Sequence, residues 1–288
     1  MKAHLLVVDP QNDFCIADDG KGNKGSLVVR DAENDMNRVA EMLSKHGNKF
    51  DDIHVTLDSH QGIGIERPKW WKRVGDGSQP SPFTVLGIHS DGKRIVKCNP
   101  DAKGMNPTEE EYTTYLPSLL KRTFTYLKAL SDNGRYAHVV WPIHCVVGTW
   151  GWSIVPKLSA ALLDWEFNSF GRVNYVTKGN NPFTEHFSGI KAEVPDPSDP
   201  TTQINTRLIQ VLEEADIVAI AGEALSHCVA NTVRDIANAF SDSKYIKKLI
   251  LLTDASSNVG SFEFLGDAFM KEMLAKGMQV DTTKKFLA

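Results

Sequence analysis

A cysteine at a strand-to-helix junction is the residue of this chain best placed for covalent chemistry. The apolar run 217–221 is typical of a buried parallel strand, and Cys228 follows the break at Gly222, in the first turn of an amphipathic helix. Unpaired N–H groups and the positive end of the helix dipole favour a thiolate there, and the same N–H groups could hold an oxyanion. A buried core cysteine is the alternative, and this segment alone leaves both open.

Charged residues follow two other apolar runs of the chain. Asp9 follows the run 5–8, and Lys178 follows the run 173–176. A buried carboxylate or ammonium group is costly when it is alone, so convergence on Cys228 would let each group compensate another. We expect Lys178 to lower the thiol pKa and Asp9, with its own pKa raised by burial, to relay the proton. The three residues therefore predict a nucleophile, a base and an orienting cation.

Short apolar runs alternate with helical patterns along the chain. Six strands, each followed by a helix, predict a doubly wound, mostly parallel α/β sheet with helices on both faces, a Rossmann-like three-layer arrangement. Ligands bind such sheets beyond the carboxyl ends of the strands. The predicted strands are 5–8, 53–57, 138–141, 173–176, 217–221 and 249–253. The predicted helices are 31–46, 111–131, 152–165, 203–214, 226–241 and 261–275.

We expect the 288 residues to form a single domain with a loop-rich excursion at about 62–106, which is rich in proline and glycine. A loop of that length inside a compact domain is usually functional or serves assembly. For its aromatic residues Trp70, Trp71 and Phe83 we favour surface packing or a subunit contact over direct contact with a substrate.

The composition excludes several classes of protein. The net charge is −4 and no basic stripe is interleaved with aromatic residues, so nucleic-acid binding has no support. No segment approaches the roughly 18 consecutive apolar residues of a membrane span, and the N-terminus lacks the pattern of a signal peptide. The four cysteines contain no CxxC pair. We therefore expect a cytoplasmic protein that acts on a small molecule, without nucleic-acid or membrane partners.

The motifs at the strand ends, taken in order, resemble those of the isochorismatase-like cysteine hydrolase superfamily, and within it the nicotinamidases and related amidases. The matching segments are DPQNDF from residue 9, DSH from 58, WPIHC from 141 with GTWG from 148, KG from 178 and GEALSHCV from 222. The resemblance implies a catalytic triad of Asp9, Lys178 and Cys228. It also implies an oxyanion hole made by the backbone N–H groups of Ala224 and Cys228, with a cis peptide bond between Glu223 and Ala224.

The nicotinamidase branch also binds a divalent metal ion through ligands that match Asp58, His60 and His144. An Asp-x-His pair with a further His leaves coordination positions open, which suits Zn²⁺ first and Fe²⁺ or Mn²⁺ as alternatives. One departure follows this motif, because Glu66 and Arg67 stand where relatives often carry another His. We expect Glu66 to be a solvated loop carboxylate, with a place at or near the metal as the alternative.

Aromatic residues clamp a pyridine ring in nicotinamidases, and the matching positions here are Phe14, Trp141 and, more loosely, Phe187. Each could equally fill the core, and for Phe187 core filling is the preferred interpretation.

The resemblance implies a cysteine-dependent amidase that acts on C–N bonds and hydrolyses a small aromatic or heteroaromatic carboxamide through a thioester. Nicotinamide, converted to nicotinate and ammonia in NAD metabolism, is the first candidate substrate, and another small amide or imide is the second. A catalytically silent binding or assembly module is the alternative from another class. A redox-sensing thiol, with Cys145 as resolving partner, is a third. Enzymes with this resemblance usually form homo-oligomers, so we expect one here.

Overall fold

The described part of the chain, residues 1–101, 104–133 and 137–287 of a computed structural model, forms two β-sheets with helices packed around them. The strands are β1 (Ala3–Val8), β2 (Asp52–Asp58), β3 (Trp71–Arg73), β4 (Val85–Ile88), β5 (Ile95–Asp101), β6 (Gly104–Thr114), β7 (His138–Val139), β8 (Asn174–Lys178), β9 (Ile217–Gly222), β10 (Leu249–Leu252) and β11 (Gln279–Asp281). The α-helices are α1 (Asn12–Cys15), α2 (Ala32–His46), α3 (Leu120–Asn133), α4 (Pro156–Ser169), α5 (Thr206–Glu214), α6 (Ala230–Ala239) and α7 (Glu263–Ala275). Short 3₁₀ helices lie at Gly47–Lys49, Pro68–Trp70, Pro117–Leu119, Pro200–Thr202 and Ser243–Lys248, and a π-helical turn lies at Leu225–Val229.

The larger sheet has six parallel strands in the order β11-β10-β9-β1-β2-β8. Every residue of β1 is buried, and so are the last five residues of β9, because central strands of a parallel sheet are covered on both faces. The predicted doubly wound α/β class is confirmed. It follows that the carboxyl ends of β9, β1, β2 and β8 lie side by side at one edge.

One strand of this sheet differs from the prediction. The run 138–141 forms the short strand β7, which pairs antiparallel with β4 in the second sheet rather than with the parallel strands. Its place as the sixth strand is taken by β11, which pairs with β10. An apolar run between turns has the same appearance in either sheet, and β11 is largely exposed and so carries no apolar signal.

The second sheet is antiparallel, with strand order β3-β6-β5-β4-β7. The range 62–106, predicted to be loop-rich, therefore contains β3, β4, β5 and the beginning of β6. The predicted helix 111–131 starts only at Leu120, because residues 111–114 still belong to β6. In β6 only Tyr112 and Thr114 are buried among the residues whose burial is described, because this strand covers the core with one face only.

The buried apolar side chains form two clusters, a large one that joins the parallel sheet to one side of the antiparallel sheet and a smaller one on the other side of the antiparallel sheet. Trp70 and Trp71 lie in the smaller cluster, where Trp71 Nε1 donates a hydrogen bond of 2.7 Å to the Ile65 carbonyl oxygen. The expectation that these two residues pack at the surface is wrong. Phe83 is about half exposed and meets the ring of Trp141 edge-on at 5.8 Å. The single-domain organisation stays a prediction.

None of the described helices combines the length and the apolar character that a membrane crossing requires.

Backbone geometry at the carboxyl ends of β1 and β9 brings these strands into close contact. Gly222 has φ +118°, and a Cβ atom there would lie 2.1 Å from the Val8 carbonyl oxygen. That oxygen accepts a hydrogen bond of 2.8 Å from the N–H of Glu223. Only glycine allows this approach, which holds the segment after β9 against the end of β1.

Candidate active site

The three residues of the predicted triad converge at the edge where the parallel strands end. Lys178 Nζ lies 2.8 Å from Asp9 Oδ2 and 3.7 Å from Cys228 Sγ. Asp9 follows β1, Lys178 ends β8 and Cys228 lies in the π-helical turn after β9. All three are buried, and Asp9 Oδ1 also accepts a hydrogen bond of 2.6 Å from Thr56 Oγ1. A candidate nucleophile, a candidate base and a cation therefore lie close together in one buried region.

The Cys228 thiol is held in its protonated form. Burial raises the pKa of Cys228 well above its usual value, and the Lys178 ammonium group offsets this only in part. Asp9 raises the pKa further through its charge and by accepting a hydrogen bond from the thiol. The expectation of a thiolate at this position is therefore wrong for the resting site, because desolvation outweighs the Lys178 cation.

Asp9 is suited to remove the thiol proton. Burial raises the pKa of Asp9 above its usual value, although Lys178 opposes that shift. The expected direction of this shift is confirmed. A buried carboxylate of raised pKa is a stronger base than an exposed one.

The predicted metal ligands Asp58, His60 and His144 meet beside the triad. The Nε2 atoms of His60 and His144 lie 2.9 and 3.2 Å from Asp58 Oδ2, and the candidate ligand atoms all lie within 4.8 Å of one another. Asp58 ends β2, and a parallel bridge between His60 and Val146 brings the segment after β7 alongside. One carboxylate and two imidazoles at this separation form a donor set that suits Zn²⁺.

The second nitrogen of each imidazole faces an acceptor. His60 Nδ1 lies 3.3 Å from Glu66 Oε1, and His144 Nδ1 lies 2.7 Å from the Pro142 carbonyl oxygen. These contacts point both Nε2 atoms towards Asp58. The same arrangement orients metal-ligating histidines in general, so the residues present fit a bound metal ion.

Neighbouring charges set different protonation states in the two histidines. Burial lowers the pKa of His60, but the Asp58 carboxylate and Glu66 reverse this and raise it to about 10. Burial and Arg67 lower the pKa of His144 to about 4. His60 is therefore a cation between two carboxylates, while His144 is neutral and Nε2 can act as a ligand without losing a proton.

Glu66 is buried, which corrects the expectation of a solvated loop carboxylate. Besides His60, its Oε1 atom contacts Arg67 Nε at 2.9 Å. The buried Arg67 also donates a hydrogen bond of 2.7 Å to the carbonyl oxygen of His144. The Glu66 carbonyl oxygen in turn accepts a hydrogen bond of 2.8 Å from the N–H of Trp141. Glu66 and Arg67 therefore orient both His60 and His144. The sequence could not show these contacts, because they join segments that belong to the two sheets.

A small cavity opens at this edge of the parallel sheet, and Lys178, Cys228, Asp58 and His144 line it. Phe14, Trp141 and Phe187 line it as well. The ring of Phe187 lies 6.2 Å from that of Trp141 and is also nearly buried, so it serves the core and the cavity wall together. Aromatic walls of this kind suit a flat ring.

Three further cavity residues, Glu185, His186 and His227, were missed by sequence reasoning. Burial raises the pKa of Glu185 to about 7 and lowers the pKa of His227 to about 3. The position of His227 directly before Cys228 could have indicated that His227 lies near the site. No sequence feature indicates that Glu185 does, because the course of the segment after Lys178 cannot be predicted from the sequence. Its Oε2 atom has no hydrogen-bond partner among the described residues.

The two residues predicted for the oxyanion hole, Ala224 and Cys228, both line the cavity. The peptide bond between Glu223 and Ala224 is cis, as the resemblance implied. The Ala224 carbonyl oxygen accepts a hydrogen bond of 3.1 Å from the N–H of Val229, which closes the π-helical turn around the cysteine.

Comparison with known proteins identified similar sequences and similar structures. No family model matches the chain. The curated nicotinamidase of Saccharomyces cerevisiae is 25% identical over 231 residues, which are 79% of this chain and 78% of the relative. The structure of the yeast nicotinamidase bound to the inhibitor nicotinaldehyde has a TM-score of 0.61 and 20% identity, covering 97% of this chain and 99% of that one. The zinc complex of the pyrazinamidase of Pyrococcus horikoshii has a TM-score of 0.54 and 18% identity, covering 98% and 99%.

The chain is thus similar in sequence to a nicotinamidase and shares its fold with solved nicotinamidases and pyrazinamidases. This similarity agrees with the resemblance of its strand-end motifs.

Replacing Asp9 with Asn should make the Cys228 thiol more reactive towards alkylation at neutral pH. Asp9 raises the pKa of this thiol, so its removal lowers the pKa and increases the thiolate fraction below that pKa. We expect the rate of modification by iodoacetamide at pH 7.5 to rise about tenfold, which corresponds to about one pKa unit. Mass spectrometry of the labelled Cys228 peptide measures the rate.

Cys228→Ala is the control that shows labelling occurs at this thiol rather than at the other cysteines. An Asp9→Asn rate equal to or below that of the unmodified protein would contradict the assigned contact between carboxylate and thiol.

Proposed function

We propose that this protein is a cysteine-dependent amidase that hydrolyses nicotinamide to nicotinate and ammonia. The observation that carries the proposal is the convergence of Asp9, Lys178 and Cys228 at the polar end of an aromatic cavity. The homologous yeast protein is a nicotinamidase, and nicotinaldehyde is an inhibitor seen bound to it. An aldehyde of the same ring system fits a site whose nucleophile attacks a carbonyl carbon.

The first half of the reaction forms a thioester. Asp9 takes the proton of the Cys228 thiol, and the sulfur attacks the carboxamide carbon. The N–H groups of Ala224 and Cys228 stabilise the oxyanion that develops. Asp9 then gives its proton to the amide nitrogen, the C–N bond breaks and ammonia leaves. Lys178 stays protonated throughout, because Asp58 and Asp9 raise its pKa well above its usual value despite the opposing effect of burial.

The second half releases the acid. A water molecule enters where ammonia left, and Asp9 takes one of its protons as the oxygen attacks the thioester carbon. The same two N–H groups hold the second oxyanion. The C–S bond then breaks, and Asp9 returns the proton to the Cys228 sulfur, so that one water is consumed for each ammonia and acid formed.

We propose that Asp58, His60 and His144 hold a divalent metal ion, with Zn²⁺ preferred over Fe²⁺ or Mn²⁺. When bound, the ion would supply a Lewis acid with open positions that can hold the pyridine nitrogen and so orient the ring. Phe14, Trp141 and Phe187 bind the faces and edges of that ring and keep bulk water from the thioester.

Another small amide or imide is the second candidate substrate, and Glu185 favours it. This buried carboxyl group has one oxygen without a partner among the described residues, and it lines the cavity. A substrate with a hydrogen-bond donor on its ring would satisfy that oxygen, whereas nicotinamide has only an acceptor in its ring.

We also propose that the protein forms a homo-oligomer in the cytoplasm. The outer face of α4 and the residue after it expose Leu163, Phe167 and Phe170, the last of which is 96% exposed. Exposed apolar patches of this kind mark association surfaces, and closed homo-oligomers are the commonest assemblies. All four cysteines are free, as is usual in a reducing compartment.

The direct test is ammonia release from nicotinamide by the purified protein supplied with Zn²⁺, Fe²⁺ or Mn²⁺. We expect release by the unmodified protein and a loss of at least about 1,000-fold in kcat for Cys228→Ala, because the covalent route is removed. Cys98→Ala, which changes a buried cysteine of the second sheet, should keep kcat within about threefold.

The assay also separates the candidate substrates. Release from another small amide or imide, but not from nicotinamide, would replace the substrate and keep the mechanism. Equal activity of Cys228→Ala and the unmodified protein would reject the cysteine mechanism.

Replacing His144 with Ala should weaken zinc binding by more than about 100-fold, since even the loss of a supporting group outside the ligand set costs 10- to 100-fold. Competition with a chromophoric chelator gives the dissociation constant. His46→Ala, at the end of α2, is the control and should bind zinc as the unmodified protein does. Unchanged affinity in His144→Ala would reject this ligand set.

Light scattering after size-exclusion chromatography tests the assembly. We expect a mass that is a multiple of the chain mass, and a shift towards the monomer in Phe167→Asp because a charge there opposes apolar association. Phe264→Asp, which changes an exposed phenylalanine on α7, is the matched control and should keep the assembled mass. A monomeric unmodified protein would reject the homo-oligomer.

A further inference from the structure

Two carboxyl groups that the mechanism does not use are buried behind the proposed oxyanion hole. Glu223 directly precedes Ala224 and is completely buried, and Asp35 on α2 is 2% exposed. Neither residue lines the cavity. Burial of two neighbouring acids is costly unless their hydrogen bonds are satisfied, so their contacts indicate what they do.

Ser257 bridges the two acids. Its backbone N–H donates a hydrogen bond of 3.1 Å to Glu223 Oε2, and its hydroxyl group donates one of 2.6 Å to Asp35 Oδ2. Arg38 pairs with the other oxygen of Asp35 and also donates to the carbonyl oxygen of Asp254. Helix α2, the segment after β9 and the segment after β10 therefore meet at this pair of acids.

Burial favours the neutral form of Glu223. Burial, the charge of Asp35 and a hydrogen bond to it raise the pKa of Glu223 well above its usual value. Arg38 contacts Asp35 directly. A protonated Glu223 can accept from the Ser257 N–H and donate to Asp35.

The backbone around Ala224 is tied to the same segments. The N–H of Glu223 donates to the Val8 carbonyl oxygen at 2.8 Å, and the N–H of Leu225 donates to the Ser257 carbonyl oxygen at 2.7 Å. The side chain of Glu223 adds a third anchor to the peptide group that these bonds flank. That peptide group contains the N–H of Ala224.

We propose that Glu223 is a positioning residue, whose carboxyl group, bridged to Asp35 and Ser257, fixes the Ala224 N–H in the oxyanion hole. This inference rests on the proposed amidase function. Glu223 touches no reacting atom and acts through the orientation of the peptide that follows it. A donor displaced by about 1 Å costs about 100-fold in rate, so the effect belongs in kcat rather than in KM.

Steady-state kinetics on nicotinamide test the proposal with a pair of variants. Glu223→Ala removes the bridge, and kcat should fall by about 30- to 100-fold with KM within about threefold. Glu223→Gln keeps one acceptor for Ser257 and one donor for Asp35, so kcat should return to within about threefold of the unmodified protein. Glu272→Ala removes a carboxylate that pairs with Arg234 and Lys276 on the outer surface, and it should change neither constant.

Two measurements distinguish positioning from general damage. Nicotinaldehyde adds its carbonyl carbon to the Cys228 sulfur, the thiol proton passes to the aldehyde oxygen, and that oxygen occupies the oxyanion hole. Its inhibition constant should rise in Glu223→Ala in parallel with the loss of kcat. Alkylation of Cys228 by iodoacetamide forms no oxyanion, so its rate should stay within about twofold.

A milder variant covers the case in which Glu223→Ala does not fold. Ser257→Ala removes only the hydrogen bond from the hydroxyl group to Asp35, and kcat should fall by about three- to tenfold with unchanged KM.

The proposal is overturned if Glu223→Ala keeps its kcat, if Glu223→Gln is as impaired as Glu223→Ala, or if the alkylation rate falls together with kcat. An unmodified protein that releases no ammonia from any small amide would instead reject the amidase function and this inference with it.

Discussion

The buried ammonium group of Lys178 is the interaction on which the rest of the site depends. It lies between the carboxylates of Asp9 and Asp58, at 2.8 and 3.1 Å, and without it these two negative charges would repel each other in a medium that solvates neither. Removing one partner of such a buried pair typically costs about 3–5 kcal/mol. The cation therefore allows two carboxyl groups, the proposed proton-transfer group Asp9 and the proposed metal ligand Asp58, to occupy adjacent strand ends.

Protonation in the site follows from this arrangement. Lys178 lowers the pKa of Cys228 less than burial raises it, so the free protein stores its nucleophile as a thiol. A stored thiol is less open to oxidation than a thiolate. In the proposed mechanism, the thiolate forms only when a carbonyl carbon stands beside the sulfur and the proposed oxyanion donors can take up the charge.

The sequence revealed the parallel sheet and the triad because each carries a local signal. Asp9, Lys178 and Cys228 each follow an apolar run, and neighbouring parallel strands end at the same edge. The antiparallel sheet carried no such signal, since its pairs join distant and partly polar segments, such as Trp71 with Thr114. The burial of Glu66 and the protonated state of the thiol also escaped prediction, because both are set by tertiary desolvation rather than by residue order.

The site divides its residues between the two sheets. Asp9, Lys178 and Cys228 all come from the ends of the parallel strands, whereas Trp141 and His144 arrive on the segment that follows β7 of the antiparallel sheet. Part of the cavity wall is thus encoded apart from the stretches of chain that supply the triad, although Phe14 and Phe187 come from segments of the parallel sheet. Substitutions around Trp141 can reshape that part of the wall while Cys228 and Asp9 keep their packing. Such a division would let a lineage change which molecules the cavity admits, with the residues at the parallel strand ends left in place.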